Sequence, residues 1–290
     1  MNILTFDIEE WYIEQAYHGG RREQYQTYDR YLKSILDLLE ERSICATFFC
    51  VGNMAVHFPQ VVRLIADHGH EVGCHSHSHH WLTKMTPEEL RRDTLDALHA
   101  LQDVSGQPVE SYRAPAFSIG EQNKWAFPIL AECGIKRDAS VFPMPRDFGG
   151  FASFPSQEPV LIDCGGAQIQ EFPIGSTKIL GREVAYSGGG YFRFFPLWYL
   201  RKKIKHSPYV MTYFHIGDLM HKKGGVMSRA AYETYFKEPG TLPNRLKRYV
   251  KSNLGTAGAF SKMSQLIRTF NFISLEDAGA KIAWNKSITL

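Results

Sequence analysis

The chain has 290 residues, 44% of them hydrophobic and 22% charged, with a formal net charge of +3. That balance describes an ordinary globular protein and is too weakly basic to point to nucleic acid. No apolar run is long enough to span a membrane, and the five cysteines include no CxxC pair, so neither a disulfide framework nor a zinc ribbon follows from them.

Residues 2–6 form a short apolar strand that ends in Asp7-Ile8-Glu9-Glu10-Trp11. Charge at the end of a buried strand is where α/β proteins place their sites. Met1 meets that strand without a basic region and apolar run, so no signal peptide is expected and the expected compartment is the cytoplasm. Residues 28–43 carry Tyr31, Leu32, Ile35, Leu36, Leu38 and Leu39 at helical spacing. Residues 44–51 read as a buried strand, and 58–68 as a helix stopped by Gly69. Residues 70–74 are the next strand, leading into His75-Ser76-His77-Ser78-His79-His80, four histidines in six residues. Thr86-Pro87-Glu88-Glu89 is a helix start with its capping box, and that helix runs to about Val104.

A strand over 109–112 then leads into Arg113-Ala114-Pro115, and 123–133 read as a helix. Around 140–190 Pro and Gly recur and the signal weakens. This reads as an irregular insertion with short strands near 160–162 and 169–172. A helix over 194–205 has a basic end, and a buried strand over 209–214 ends at His215. The last elements expected are a helix over 257–270 and a strand over 272–275. Alternating strands and helices predict a parallel α/β sheet, closed or nearly closed, in one domain over residues 1–290.

In such a sheet the C-terminal strand ends meet on one face, which brings together Asp7, Glu9, His75, His79, Arg113 and His215. One helical turn would set His75 and His79 on one side, a spacing that suits zinc; the alternative is a polar loop of titrating histidines. Glu9 completes a three-donor set with an open fourth position, the pattern of a catalytic divalent site. Asp7 and Glu10 are the alternative carboxylates. Asp7 is then the general base, kept ionised by Arg113, and His215 the acid for the leaving group.

The motifs resemble those of the polysaccharide deacetylases of the NodB-homology group, carbohydrate esterase family 4. Five stretches in order carry the resemblance: Thr5-Phe6-Asp7, Gly69 through His79, Tyr112-Arg113-Ala114-Pro115, Asp138-Ala139-Ser140-Val141-Phe142, and Tyr213-Phe214-His215. Most members have Asp-Asp-Gly in the first motif. This chain has Asp7-Ile8-Glu9, as in a branch whose metal carboxylate sits two residues after the base. The resemblance implies a distorted (β/α) barrel, a divalent metal, expected to be zinc, on Glu9, His75 and His79, and catalytic roles for Asp7, Arg113 and His215. It gives Asp138 the task of orienting His215, with a helix cap as the alternative. It also places Pro115 and the loop Gly188-Gly189-Gly190-Tyr191-Phe192-Arg193, through Tyr191 and Arg193, on the substrate side, with a plain flexible turn as the alternative for the loop. Trp11, beside the first motif, is expected either at the rim, touching substrate, or in the core.

The expected reaction is removal of an N-acyl group, in the first place acetyl, from an amino sugar in a glycan or in a lipid-linked or nucleotide-linked precursor. The rivals are hydrolysis of another amide or of a cyclic imide, as in allantoinase, and an inactive sugar-binding relative. A homo-oligomer is compatible with the sequence.

Overall fold

The computed structural model describes residues 1–146, 149–179, 181–220 and 225–290. Its strands, in chain order, are β1 (Asn2–Ile3), β2 (Thr5–Ile8), β3 (Thr47–Cys50), β4 (Glu71–Cys74), β5 (Ser111–Tyr112), β6 (Arg137–Asp138) and β7 (Val160–Asp163). They continue as β8 (Gln168–Glu171), β9 (Ser176–Ile179), β10 (Arg182–Ala185), β11 (Val210–Met211), β12 (Phe214–His215) and β13 (Ser287–Thr289). Nine form the main sheet in the order β12-β2-β3-β4-β5-β6-β8-β7-β13. All its neighbours are parallel except the hairpin β7/β8. Among the described residues β12 and β13 stand at its two edges, so strand pairing does not close the expected barrel.

Strands β2, β3 and β4 are buried at every position, as parallel strands covered on both faces must be. Phe6 stacks on Phe48 at 4.9 Å across the β2/β3 pair. The helix Arg22–Glu41 covers this core with Leu32, Ile35, Leu36 and Leu39. In the helix Pro87–Ser105 the predicted capping box is formed: Thr86 Oγ1 accepts from Glu89 N, and Glu89 Oε2 accepts from Thr86 N. Such a cap contributes about 1 kcal/mol and fixes where the helix begins.

The stretch 140–190 adds the β7/β8 hairpin to the main sheet and forms a second hairpin, β9/β10. Asp147, Phe148 and Leu180 of that stretch lie outside the described residues. Two expectations are corrected. Residues 272–275 make one bridge, Ile3 to Ile273, and then turn into the helix Leu275–Lys281 because Ser274 Oγ caps it by accepting from Asp277 N. The final strand is β13, which extends β7.

Candidate metal centre and active site

The histidine segment follows β4, and it is a kinked loop. Ser76 and His79 hold left-handed backbone, with φ of 65° and 54°, so no helical turn forms there. The loop is fixed by its own polar groups. His75 N donates to Cys50 O, Gly52 N to Ser76 O and Asn53 N to His77 O, each at 2.9 Å. His77 N and Ser78 N donate to the two Asp93 oxygens, at 2.8 and 3.3 Å. Every one of these bonds would be lost or re-aimed if the loop became helical.

Bent in this way, the loop brings His79 Nε2 to 2.5 Å and His75 Nε2 to 3.6 Å from the same Glu9 oxygen. Glu9, His75 and His79 are the one group of three potential metal ligands among the described residues. Strand β2 ends at Ile8, so Glu9 is aimed by the turn before the helix Glu10–His18 rather than by continued strand alternation. Glu10 points elsewhere, its Oε1 accepting from Gly217 N at 2.6 Å. Burial raises the Glu10 carboxyl to a pKa of about 7, helped by the adjacent Glu9. Burial also acts to raise Glu9, but His79, His215 and the hydrogen bonds from the two ring nitrogens outweigh it and hold it well below the carboxylate range.

The residues fit a divalent cation. His75 Nδ1 lies 2.7 Å from Arg113 O, which fixes the tautomer and leaves Nε2 to face Glu9. Apart from the Glu9 carboxylate, the buried Nε2 atoms of His75 and His79 have no hydrogen-bond partner among the described residues. Two nitrogen lone pairs and a carboxylate aimed at one point are the donor set of a catalytic zinc-type site.

Beside these donors, Arg113 is fully buried, and its Nη1 donates to Asp7 Oδ1 at 2.6 Å and to Thr5 Oγ1 at 2.7 Å. Arg113 Nε donates to Ala139 O at 3.1 Å, and the guanidinium lies 4.3 Å from the centre of the Phe49 ring. Strand register places His215 opposite Asp7, with His215 Nε2 3.7 Å from Asp7 Oδ2 and 3.8 Å from Glu9 Oε1. His215 Nδ1 meets Asp218 Oδ2 at 3.0 Å, and the other Asp218 oxygen meets Arg193 Nη1 at 3.0 Å. Burial acts to lower the His215 pKa, but Glu9, Asp218 and Asp7 outweigh it and push it up to about 10. A cavity of about 500 Å³ opens onto Asp7, Glu9, His75, His79 and His215, with Tyr191, Arg146, Tyr213 and Tyr235 on its walls.

The structure moves four expected residues out of the roles given to them. Trp11 is 1% exposed and donates to Asp29 Oδ1 at 3.0 Å, because the helix Glu10–His18 turns it into the core. Pro115 is buried and opens a tight turn whose neighbours Ala114, Ala116 and Phe117 face the cavity instead. Arg193 is buried against Asp218 and donates to the carbonyls of Lys251 and Ser252, so it supports His215 from behind through Asp218. Asp138 accepts from Ser140 N and Oγ, and His215 is oriented by Asp218 in its place. Tyr191 does reach the cavity wall. A Cβ at Gly188 would lie 2.0 Å from Tyr213 O, so only glycine lets that loop pack beside β12. Asp218, three residues after His215, was legible as a His-x-x-Asp step past a strand end. Tyr235 and the rim residues Arg248 and Lys251 come from helices, and Leu254 from the position just past one, with no motif to announce them.

A mostly parallel sheet with acid, base and imidazole groups gathered at its C-terminal strand ends is an architecture in which α/β folds place active sites. Residues 3–137 match the family of polysaccharide deacetylases. Residues 139–279 match a second family, described as a domain of unknown function (DUF3473). A peptidoglycan-N-acetylglucosamine deacetylase of Bacillus cereus is 38% identical over 93 residues, 32% of this chain and 34% of that protein. The peptidoglycan-N-acetylmuramic acid deacetylase PdaA of Bacillus subtilis is 30% identical over 107 residues, 34% of this chain and 40% of that protein. The chain thus spans well under half the length of either relative. A structure described as a candidate polysaccharide deacetylase from Mycobacterium smegmatis superposes with a TM-score of 0.62 at 16% identity, covering 96% of this chain and 88% of that one. The α/β fold of the NodB-type deacetylases is therefore the fold of this chain.

Proposed function

We propose that this protein hydrolyses the N-acyl group, in the first place N-acetyl, of an amino sugar in a glycan or a lipid-linked or nucleotide-linked glycan precursor. The observation that carries this is the facing pair Asp7 and His215, set 3.7 Å apart beside the donors Glu9, His75 and His79. The family match over residues 3–137 and the named activities of the two Bacillus relatives support the choice of substrate.

A divalent cation held by Glu9, His75 and His79 would polarise the amide carbonyl and sharpen water as a nucleophile. The remaining chemistry belongs to the side chains. Arg113 engages Asp7 Oδ1 and leaves Oδ2 facing the cavity, where it takes the proton of the attacking water. Asp218 holds His215 Nδ1, so the proton on Nε2 points inward and passes to the sugar nitrogen as the C–N bond breaks. Acetate and a free amine leave. The amine gains a positive charge near neutral pH, which changes the charge of the glycan.

The test offers the purified protein a soluble N-acetylated oligosaccharide, a nucleotide N-acetylamino sugar and its polyprenyl-phosphate counterpart, and measures acetate with and without chelator. Chelator-sensitive release from at least one is expected. Release from none, with a divalent cation bound, overturns the reading.

A further inference from the structure

The helix Leu242–Asn253 is turned inside out. A surface helix ordinarily presents its apolar stripe to the core and its polar side to water. Here Leu242, Leu246, Tyr249 and Val250, at offsets of four, seven and eight, are 55%, 42%, 36% and 56% exposed. The side facing the protein is polar: Asn244, Arg245, Arg248 and Ser252 are half-buried. Asn244 Nδ2 donates to Pro239 O and Arg245 Nη1 to Met227 O, both at 3.0 Å, and Arg248 lies 4.6 Å from the Phe236 ring centre. The inverted orientation is thus held by specific bonds, and it leaves a continuous apolar ridge in water.

The ridge joins the cavity. Arg193 ties the helix end down through the carbonyls of Lys251 and Ser252, and Leu254, 56% exposed, lines the cavity mouth together with Tyr191 and Phe194. Phe194 and Trp198 are 70% and 68% exposed on the adjoining segment. The two stretches of chain that carry the ridge hold charge of one sign, and the nearest carboxylate, Glu233, lies on the inner side against Arg229 and Arg245. Residues 184–217 and 239–275 contain no Asp or Glu. Lys247 and Lys251 sit one position past Leu246 and Val250 and are exposed, and Arg201, Lys202 and Lys203 follow Trp198.

We propose that this face docks on an anionic lipid bilayer, with Leu246, Tyr249 and Val250 in the interface and the lysines against headgroup phosphate, so that the cavity mouth opens at the membrane surface. An apolar stripe flanked by cations with long aliphatic stems is the make-up of an interfacial helix. No helix among the described residues is long and apolar enough to cross a membrane. A second copy of the chain would bury the same stripe, but a two-fold contact would set its lysines against their own copies. Lipid phosphate complements them. That the amino sugar is then presented on a lipid rests on the deacetylase reading; the docking does not.

The experiment floats the full chain with phosphatidylcholine vesicles made with and without phosphatidylglycerol, for wild type, a Leu246→Glu/Val250→Glu double variant and Lys247→Glu. Wild type is expected to float with the anionic vesicles, less so as salt is raised. The double variant should lose at least about tenfold of that binding, because interfacial binding scales with buried apolar area. Acetate release from a soluble oligosaccharide should not change. Equal flotation of wild type and double variant, or no preference for anionic lipid, overturns the proposal. So does a dimer of the wild type that the double variant abolishes, which would give the face to a second copy. Lipid binding lost in the double variant, with no acetate released by any protein, supports the docking and counts against the deacetylase reading alone.

Discussion

The first half of the chain sets Asp7, Glu9, His75, His79 and Arg113 at or just past the ends of adjacent parallel strands. The second half supplies His215 from an edge strand, Asp218 and Arg193 from helices, and most of the cavity rim. The two sets are held by different means. Ladder register and a loop bonded through its own backbone fix the first set. A relay of ionic contacts, Arg193 to Asp218 to His215, fixes the second. The physical lesson is that the geometry of Asp7, Glu9, His75 and His79 depends on the sheet itself, while the geometry of His215 and the cavity mouth depends on side chains reaching across helices.

The largest effect that would break this division lies in the first half. His75→Ala or His79→Ala should leave the protein without its divalent cation, as metal analysis would show, and cost several kcal/mol of transition-state stabilisation, roughly three decades of turnover. Glu9→Ala should weaken metal binding more than Glu10→Ala, since Glu10 is engaged with Gly217 N. Full metal occupancy in either histidine variant would remove these residues from the ligand set.

Next in size is the pair across the boundary. Asp7→Asn and His215→Ala should each retain the metal and lose roughly two to four decades of rate, the usual range for general acid–base groups. A loss of metal in Asp7→Asn would move Asp7 into the ligand set and merge the two functions that the structure separates.

The contrast also explains what is legible in the sequence. Strand ends in the first half carry their chemistry at short, fixed spacing, so Asp7, Glu9, His75, His79 and Arg113 stand out from the order of residues alone. One local expectation fails there: the four-residue histidine spacing that suits a helical turn belongs to a kinked loop, because Asp93 and the backbone around Asn53 bind it in that shape. In the second half the signal fails for a different reason. Arg193 and Asp138 are charged and near motifs, but their partners, Asp218 and Ser140, decide which way they face. Trp11 shows the same limit: its neighbour Glu9 faces the site while the helix carries the indole into the core. The helices of residues 229–253 give little sequence signal because Leu242–Asn253 buries none of its residues.

A stability effect of intermediate size tests whether the histidine-rich first half is all site. His70 is 4% exposed, packs on Phe48 at 5.1 Å, and neither ring nitrogen has a hydrogen-bond partner among the described residues. Burial, with a smaller contribution from His68, lowers its pKa to about 4. The sign follows from proton counting. Between the unfolded value near 6.5 and the folded value near 4, the unfolded chain holds one more proton, so stability falls as pH falls through that window. The loss amounts to about 3 kcal/mol by pH 4. His70→Phe should remove that component, measured as the difference between wild-type and variant denaturant midpoints at pH 7 and pH 4.5. Parallel pH dependences would show that His70 protonates inside the fold.

The smallest effect sharpens the second half of the comparison. Asp218 holds His215 Nδ1, and Arg193 holds Asp218 while also donating to the carbonyls at the end of the helix Leu242–Asn253. A hydrogen bond to a charged group contributes about 1.5 to 3 kcal/mol. Asp218→Asn should therefore lower kcat by roughly ten- to hundredfold with metal content unchanged, because the ring keeps an acceptor but loses the charge that favours its protonated form. Arg193→Met should reproduce that fall and in addition loosen the helix, seen as faster proteolysis within residues 242–255. Arg193→Lys, which keeps a charge for Asp218 but cannot span two carbonyls and a carboxylate at once, should separate the two effects: kcat closer to wild type, proteolysis still faster. If Arg193→Met alters neither kcat nor the cleavage pattern, the acid histidine is held by the sheet after all, through β12 beside β2, and the two halves differ only in how visible their motifs are.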